Sequence, residues 1–156
     1  MHLHFSGQPE IAAPQAEVWR RLLDPRLVAA CMIGVESVEA ITPTRYRVIS
    51  GLGVGPMKLR VALDVELHDI VEPERARMRL RGSAPGSTVD TRTAIALEAL
   101  GADRTRLSWV ADTEVTGTLA SLGGRFVESA ARMVTERFWE EFAARAAESG
   151  QERGAQ

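Results

Sequence analysis

The sequence predicts a single-domain α+β fold: a curved antiparallel sheet wrapped around a long C-terminal helix, with two short helices after the first strand. Three observations predict it. Alternation of apolar and polar residues recurs in successive segments between Val35 and Thr116. The turns between those segments are short, which suits antiparallel neighbours. From Thr118 to about Glu148 there is no proline, and apolar residues return at helical steps.

Each element follows from local chemistry. His2 to Ile11 is rich in strand formers but holds Gly7 and Pro9, which suit an edge or bulged strand. Pro14 sits where a first helical turn begins, and Val18, Trp19, Leu22 and Leu23 follow at helical spacing up to Asp24-Pro25. A second short helix covers Pro25 to Ala30. After Gly34, Val35 to Ile41 and Thr44 to Leu52 read as strands joined by the Thr42-Pro43 turn. Met57, Leu59, Val61, Leu63, Val65 and Leu67 then alternate with Lys58, Arg60, Ala62, Asp64, Glu66 and His68, the mark of a long strand with one buried and one wet face. Arg75 to Gly82, Thr88 to Leu100 and Arg104 to Thr116 repeat the pattern. In the last stretch Leu119, Leu122, Phe126, Ala130, Met133, Phe138 and Phe142 predict one long amphipathic helix, with Gly123-Gly124 as a kink or close-packing point. Residues 1–148 are thus expected to form one ligand-binding domain, and 149–156 a flexible C-terminal tail.

Composition narrows the function. The chain has 156 residues, 45% apolar and 26% charged, with nineteen basic and twenty-one acidic side chains for a net charge of −2. That balance gives no electrostatic reason to expect nucleic acid. Cys31 is the sole cysteine, so no intrachain disulfide forms. The longest near-continuous apolar run, Leu27 to Val35, falls far below the ~20 residues that cross a bilayer, and no signal-peptide pattern opens the chain. The expected compartment is the cytoplasm.

Catalysis asks for a cluster of acids, bases or nucleophiles, and little of that kind is present. His2 and His4 share one face of a strand, yet a metal needs further ligands, and no matching motif supplies them. They read as an exposed edge-strand pair, and His68 as a surface histidine. Cys31, within Val28-Ala29-Ala30-Cys31-Met32-Ile33, reads as a small buried apolar residue. Gly51, Gly53 and Gly55 alternate but precede a strand rather than open a helix, so they describe a glycine-rich hairpin and not a phosphate loop. That hairpin is in a position to gate a cavity.

What remains is apolar. A long helix crossing a curved sheet leaves corners unfilled, and flexible methionines suit a pocket for elongated apolar ligands. The candidate ligand-binding residues are Tyr46, Val48, Met57, Leu59, Val61, Leu63, Met78, Leu80, Ile95, Trp109, Leu119, Leu122, Phe126 and Met133, with Thr91, Thr93 and Thr113 as polar contacts. No catalytic residue, metal or resident cofactor is assigned.

Two levels of resemblance follow from these residues. Ala13-Pro14, Val18-Trp19 and Leu22-Leu23-Asp24-Pro25 resemble the opening of the START-like (SRPBCC, Bet v 1-like) superfamily, whose fold is the helix-grip. Leu27 to Gly34, Gly53-Val54-Gly55-Pro56-Met57-Lys58 and Gly117 to Arg125 resemble three signature stretches of the G-subunit family of carbon monoxide dehydrogenase. The similarity runs from about residue 3 to 147. Ile33 stands where that family usually has a proline, and some members continue into a membrane-tethering extension where this sequence ends at Gln156.

The resemblance implies a non-catalytic accessory protein of a molybdenum carbon monoxide dehydrogenase-type system, with a lipid or a menaquinone-like isoprenoid quinone as its bound ligand. Its implied partners are that hydrophobic small molecule, a molybdenum hydroxylase-type dehydrogenase and, transiently, the inner face of the membrane, touched through Leu27 to Val35 and the glycine hairpin. Two alternatives are a polyketide cyclase-like enzyme acting on a hydrophobic substrate and an assembly factor docking on a dehydrogenase.

Overall fold

A computed structural model describes the backbone of residues 1–54 and 56–154, and the side chains of those residues other than 52–54, 57 and 149–154. The sheet comprises β1 (His2–Gly7), β2 (Glu10–Ile11), β3 (Val35–Thr42), β4 (Arg45–Val54), β5 (Met57–Val71), β6 (Arg75–Ala84), β7 (Ser87–Gly101) and β8 (Arg104–Gly117). The helices are α1 (Gln15–Leu22), α2 (Pro25–Ala30) and α3 (Gly124–Gly154), the last preceded by a 3₁₀ turn at Leu119–Leu122. The strand order is β1-β8-β7-β6-β5-β4-β3, all pairs antiparallel, with β2 also on β8. This is the predicted curved meander.

The first strand breaks at Gln8-Pro9 and lies at the sheet edge, as a proline-bearing segment must. Pro14 precedes α1. Asp24 caps α2 by accepting a hydrogen bond from the Arg26 N–H at 3.0 Å, with Pro25 in the first turn. Gly34 has φ +68°, and a Cβ there would run into the Gly51 carbonyl oxygen, so the turn into β3 needs glycine.

The predicted single C-terminal helix is in fact two pieces. Gly123, at φ +108°, ends the 3₁₀ turn, and α3 starts at Gly124. Glycine alone adopts that backbone readily, so the expected kink is a break. α3 extends past the expected boundary at Glu148 to Gly154.

The core is sealed where α3 meets the sheet. Trp109 of β8 stacks on Trp139 of α3 with centroids 5.7 Å apart, and Trp139 meets Phe138 and Phe142 edge-on. Leu22, Ile95, Leu107 and Ala146 complete the dry end.

Candidate ligand-binding groove

Strand register decides which side chains share the concave face, because directly opposed residues point the same way. One row crosses the sheet as Tyr46, Val65, Leu80, Thr91, Thr113 and Leu3, and the next as Val48, Leu63, Gly82, Val89 and Val115. Val61 and Leu59 continue the face toward the β4–β5 hairpin. Burial along this face is graded. Tyr46, Val48, Val65, Met78, Ile95 and Trp109 are buried, whereas Leu59, Val61, Leu63, Leu80 and Val89 are only half-buried.

The cause is the course of α3. The helix packs on α1, α2, β1, β2 and the 3₁₀ turn, and the Arg132 guanidinium lies 5.0 Å above the Phe5 ring, which puts that flank over β1. At 3.6 residues per turn, Ala130, Val134 and Glu141 occupy the opposite flank, and Glu141 acts electrostatically on Cys31 of the α2 end. Ala130 and Val134 are half-buried, Phe126 is 42% exposed and Met133 53% exposed. The candidate apolar groove is therefore the part of the concave face where Leu59, Val61, Leu63, Leu80 and Val89 stay half-buried.

Gly82 shapes its floor. A Cβ there would come within 2.9 Å of Leu63 Cδ2 and 3.3 Å of Val61 Cγ1, so the missing side chain lets these two lie across β6. Polar groups are sparse. The Thr91 and Thr113 hydroxyls bond each other at 2.9 Å, and the Ser50 hydroxyl donates to the Ile33 carbonyl.

Beneath α2, the Tyr46 hydroxyl is buried with no hydrogen-bond partner among the described residues, as is Trp19 Nε1. A buried donor left unpaired costs ~1–3 kcal/mol, so each such group calls for an explanation. Burial pushes the Tyr46 phenol well above its ordinary range, with Cys31 and Asp24 adding to it. Burial also pushes the Cys31 thiol up to about 11, and its Sγ donates to the Leu27 carbonyl at 3.3 Å. Both groups stay neutral. Cys31 is the small apolar residue expected, without the lowered pKa that a nucleophile needs.

The sequence-predicted residues thus divide. Leu59, Val61, Leu63 and Leu80 are the half-buried residues of the candidate groove; Tyr46, Val48, Met78, Ile95 and Trp109 are buried in the core. Leu119 is half-buried, and Leu122, like Phe126 and Met133, is exposed at 37% or more. The side chain of Met57 and residue Gly55 of the hairpin lie outside the described residues. Val89, half-buried on the same face, was not among the expected lining residues, although alternation in β7 carried the signal for it.

Elsewhere, His4 Nδ1 lies 2.8 Å from Asp112, and His2 lies 3.5 Å from Asp112 and 3.4 Å from Glu114, all on the outer face. No group of three or more metal-ligating side chains suited to a metal occurs among the described residues. A recess of about 610 Å³ on the outward face of α3 is lined by Arg132, Met133, Glu136, Arg137, Glu140 and Glu141, so Met133, expected to line the ligand site, instead borders a charged recess that does not match an apolar ligand. Among the described residues, no helix is long and apolar enough to cross a membrane.

Residues 7–147 match the family of the carbon monoxide dehydrogenase G subunit, CoxG. The chain belongs to the CoxG family. The resemblance seen in the three signature stretches is therefore correct, and the match spans every element from the end of β1 into α3. No curated protein matches the chain. Among solved structures, this CoxG-family chain is similar to a conserved protein from Geobacillus kaustophilus at 25% identity and TM-score 0.85, covering 94% of this chain and 97% of that one. It is similar to a START superfamily protein from Mycobacterium smegmatis at 15% identity and TM-score 0.71, over 95% and 99% of the two chains. It is also similar to the Zhui aromatase/cyclase from Streptomyces sp. R1128 at 20% identity and TM-score 0.67, over 98% and 96%. The last two likenesses establish the START-like fold of this CoxG-family chain.

Proposed function

We propose that this chain is a non-catalytic carrier that holds one elongated apolar molecule, a lipid or isoprenoid quinone, between α3 and the concave sheet. It would serve a molybdenum carbon monoxide dehydrogenase-type system, taking up a menaquinone-like ligand at the membrane surface and presenting it to the enzyme. The observation that carries this reading is the row Leu59, Val61, Leu63 and Leu80, half-buried on a face whose neighbours are sealed. Such a surface gains ~25 cal/mol for each Å² that a ligand removes from water. The unpartnered Tyr46 hydroxyl, from the row that holds Leu80, offers a donor to a carbonyl oxygen. Contact with the bilayer would run through Leu27 to Val35 and the β4–β5 hairpin, with no resident cofactor required.

The test is extraction of the purified protein and mass spectrometry of the extract, paired with melting curves in the presence of menaquinone. A stoichiometric lipid or quinone and a raised melting temperature are expected, since a ligand that binds only the folded state stabilises it. An empty extract together with an unmoved melting temperature rejects the carrier reading.

The likeness to an aromatase/cyclase favours one second reading, an enzyme acting on a hydrophobic substrate. Catalysis there would need convergent acid or base groups, whereas the groove offers the Thr91 and Thr113 hydroxyls, already bonded to each other. Turnover of a polyketide-like substrate, abolished by T91V/T113V, would support it. An assembly role would show instead as co-purification with dehydrogenase subunits and no bound ligand.

A further inference from the structure

The outer face of the sheet carries a second constellation. Register places Arg47, Asp64, Arg81 and Asp90 in one row across β4, β5, β6 and β7, and Arg45, Glu66, Arg79 and Arg92 in the row beside it. The carboxylates of the first row do not pair with their direct neighbours. Asp64 is held bidentately by Arg45, at 3.0 and 2.7 Å, and Asp90 by Arg79, at 3.3 and 2.9 Å. Both arginines reach diagonally from the neighbouring row. Bidentate pairs of this kind fix geometry strongly, and they leave Arg47 and Arg81 without an ion-pair partner among the described residues. Glu39, opposite Arg47 on the edge strand, forms no ion pair with it.

On the other side of Arg47 and Arg81 the row is Ile49, Ala62, Ser83 and Thr88. Three of these are small, so the surface dips, and a recess of about 580 Å³ forms with Ile49 and Ala62, Arg47 and Arg81, and Asp64 and Asp90 in its lining, the two carboxylates already held by Arg45 and Arg79. β4 and β6 are two strand spacings apart, so the two arginines stand about 10 Å apart at the backbone. In these two rows five arginines, at 45, 47, 79, 81 and 92, stand among three carboxylates, at 64, 66 and 90, in a chain whose net charge is −2. The excess cation is local, and it borders an apolar dip too concave for a flat surface.

We propose that this recess docks an acidic segment of a protein partner, with two carboxylates bound by Arg47 and Arg81 and an apolar side chain between them seated on Ile49 and Ala62. Charge complementarity selects the carboxylates, and the apolar floor selects what lies between. A helix presents such a pattern when two glutamates are seven residues apart, about 10.5 Å, with leucine near the midpoint. The arginines stand on the face of the sheet opposite the groove, although Leu63, Gly82 and Val89 border both.

The experiment is fluorescence anisotropy of a labelled helical peptide carrying Glu-Ala-Ala-Ala-Leu-Ala-Ala-Glu against the full chain, beside its Gln counterpart. Saturable binding of the Glu peptide is expected, weaker with added salt and about tenfold weaker to R47Q/R81Q. R47Q/R81Q should still melt cooperatively, only slightly below the parent, because the two guanidinium groups act on Asp64 and Asp90 through space without a close ion pair. Equal binding of the two peptides, or affinity unchanged in R47Q/R81Q, overturns the proposal. So does arginine-dependent binding to phosphatidylglycerol vesicles with none to the peptide, which would make the surface a membrane contact instead.

Discussion

Trp139 of α3 lies face to face with Trp109 of β8, ring planes 16° apart, and this stack fixes the helix to one side of the sheet. α3 is thereby held at the β1–β8 side, and on β5 and β6 Leu59, Val61, Leu63 and Leu80 stay only half-buried. The same stack predicts an asymmetry of stability. Trp139→Ala should lose ~3–5 kcal/mol, the usual cost of emptying a large buried aromatic site. Met133→Ala, at an exposed position of the same helix, should stay within ~0.5 kcal/mol. Urea denaturation of the two variants checks this, and similar losses would contradict the placement of α3.

At Gly34 both the positive φ and the nearby Gly51 carbonyl exclude a side chain. Gly34→Ala should cost more than ~1 kcal/mol, against the gain expected where alanine fits the backbone. A calorimetric scan that finds Gly34→Ala as stable as the parent would show that this turn accepts a side chain.

How much of this was legible beforehand differs by element. Alternation from Met57 to His68 identifies β5 and its inward face, because a period of two leaves only two assignments and one is charged. The helix is harder to read. Phe126, Ala130 and Met133 recur at the same steps as Val127, Phe138 and Phe142, so periodicity yields two apolar stripes and does not say which meets the sheet. Trp139, on neither expected lining nor core, decides it by stacking on Trp109. The orphaned Tyr46 hydroxyl was likewise out of reach, since alternation reports a side chain's face but not the partners of its polar atom.

Acid should act through the two bidentate pairs. Arg45 holds the Asp64 carboxyl below the usual carboxylate range, and Arg79 does the same for Asp90, chiefly through their hydrogen bonds. A carboxyl whose folded pKa is depressed contributes stability above its unfolded value, ~3.9, and loses it as pH falls through the folded value. Both pairs are partly exposed, so the effect is modest. R45Q/R79Q should therefore be less stable than the parent at neutral pH, with the gap closing on acidification below about pH 4. NMR titration should show both carboxyls moving up toward ordinary values in that variant. Unmoved titrations would mean the pairs do not form in solution.

The raised thiol pKa, about 11, predicts that Cys31 is inert in the folded protein. At pH 8 its reaction with a disulfide reagent should be at least ~100-fold slower than that of the unfolded chain, from thiolate fraction and burial together. Kinetics with and without guanidinium measure the ratio. Rapid reaction under native conditions would place Cys31 at the surface.

If Tyr46 donates to a carbonyl oxygen of the ligand, Tyr46→Phe should weaken menaquinone about tenfold, the worth of ~1.4 kcal/mol, while leaving an apolar chain of similar length unaffected. The same variant should be no less stable than the parent without ligand, because the hydroxyl has no partner to lose. Titration of both ligands into both proteins separates the hydroxyl's role from that of the groove.

The central claim is that the half-buried row on β5 and β6 is a ligand wall. Its most direct test is quenching of tryptophan fluorescence by menaquinone in the parent and in Val61→Arg, a substitution that puts a charge on the groove wall at a half-buried position. Saturable one-site binding to the parent and its loss in Val61→Arg are expected, with both proteins folded by circular dichroism. Absence of saturable binding to the parent, or equal binding by the folded variant, would contradict it.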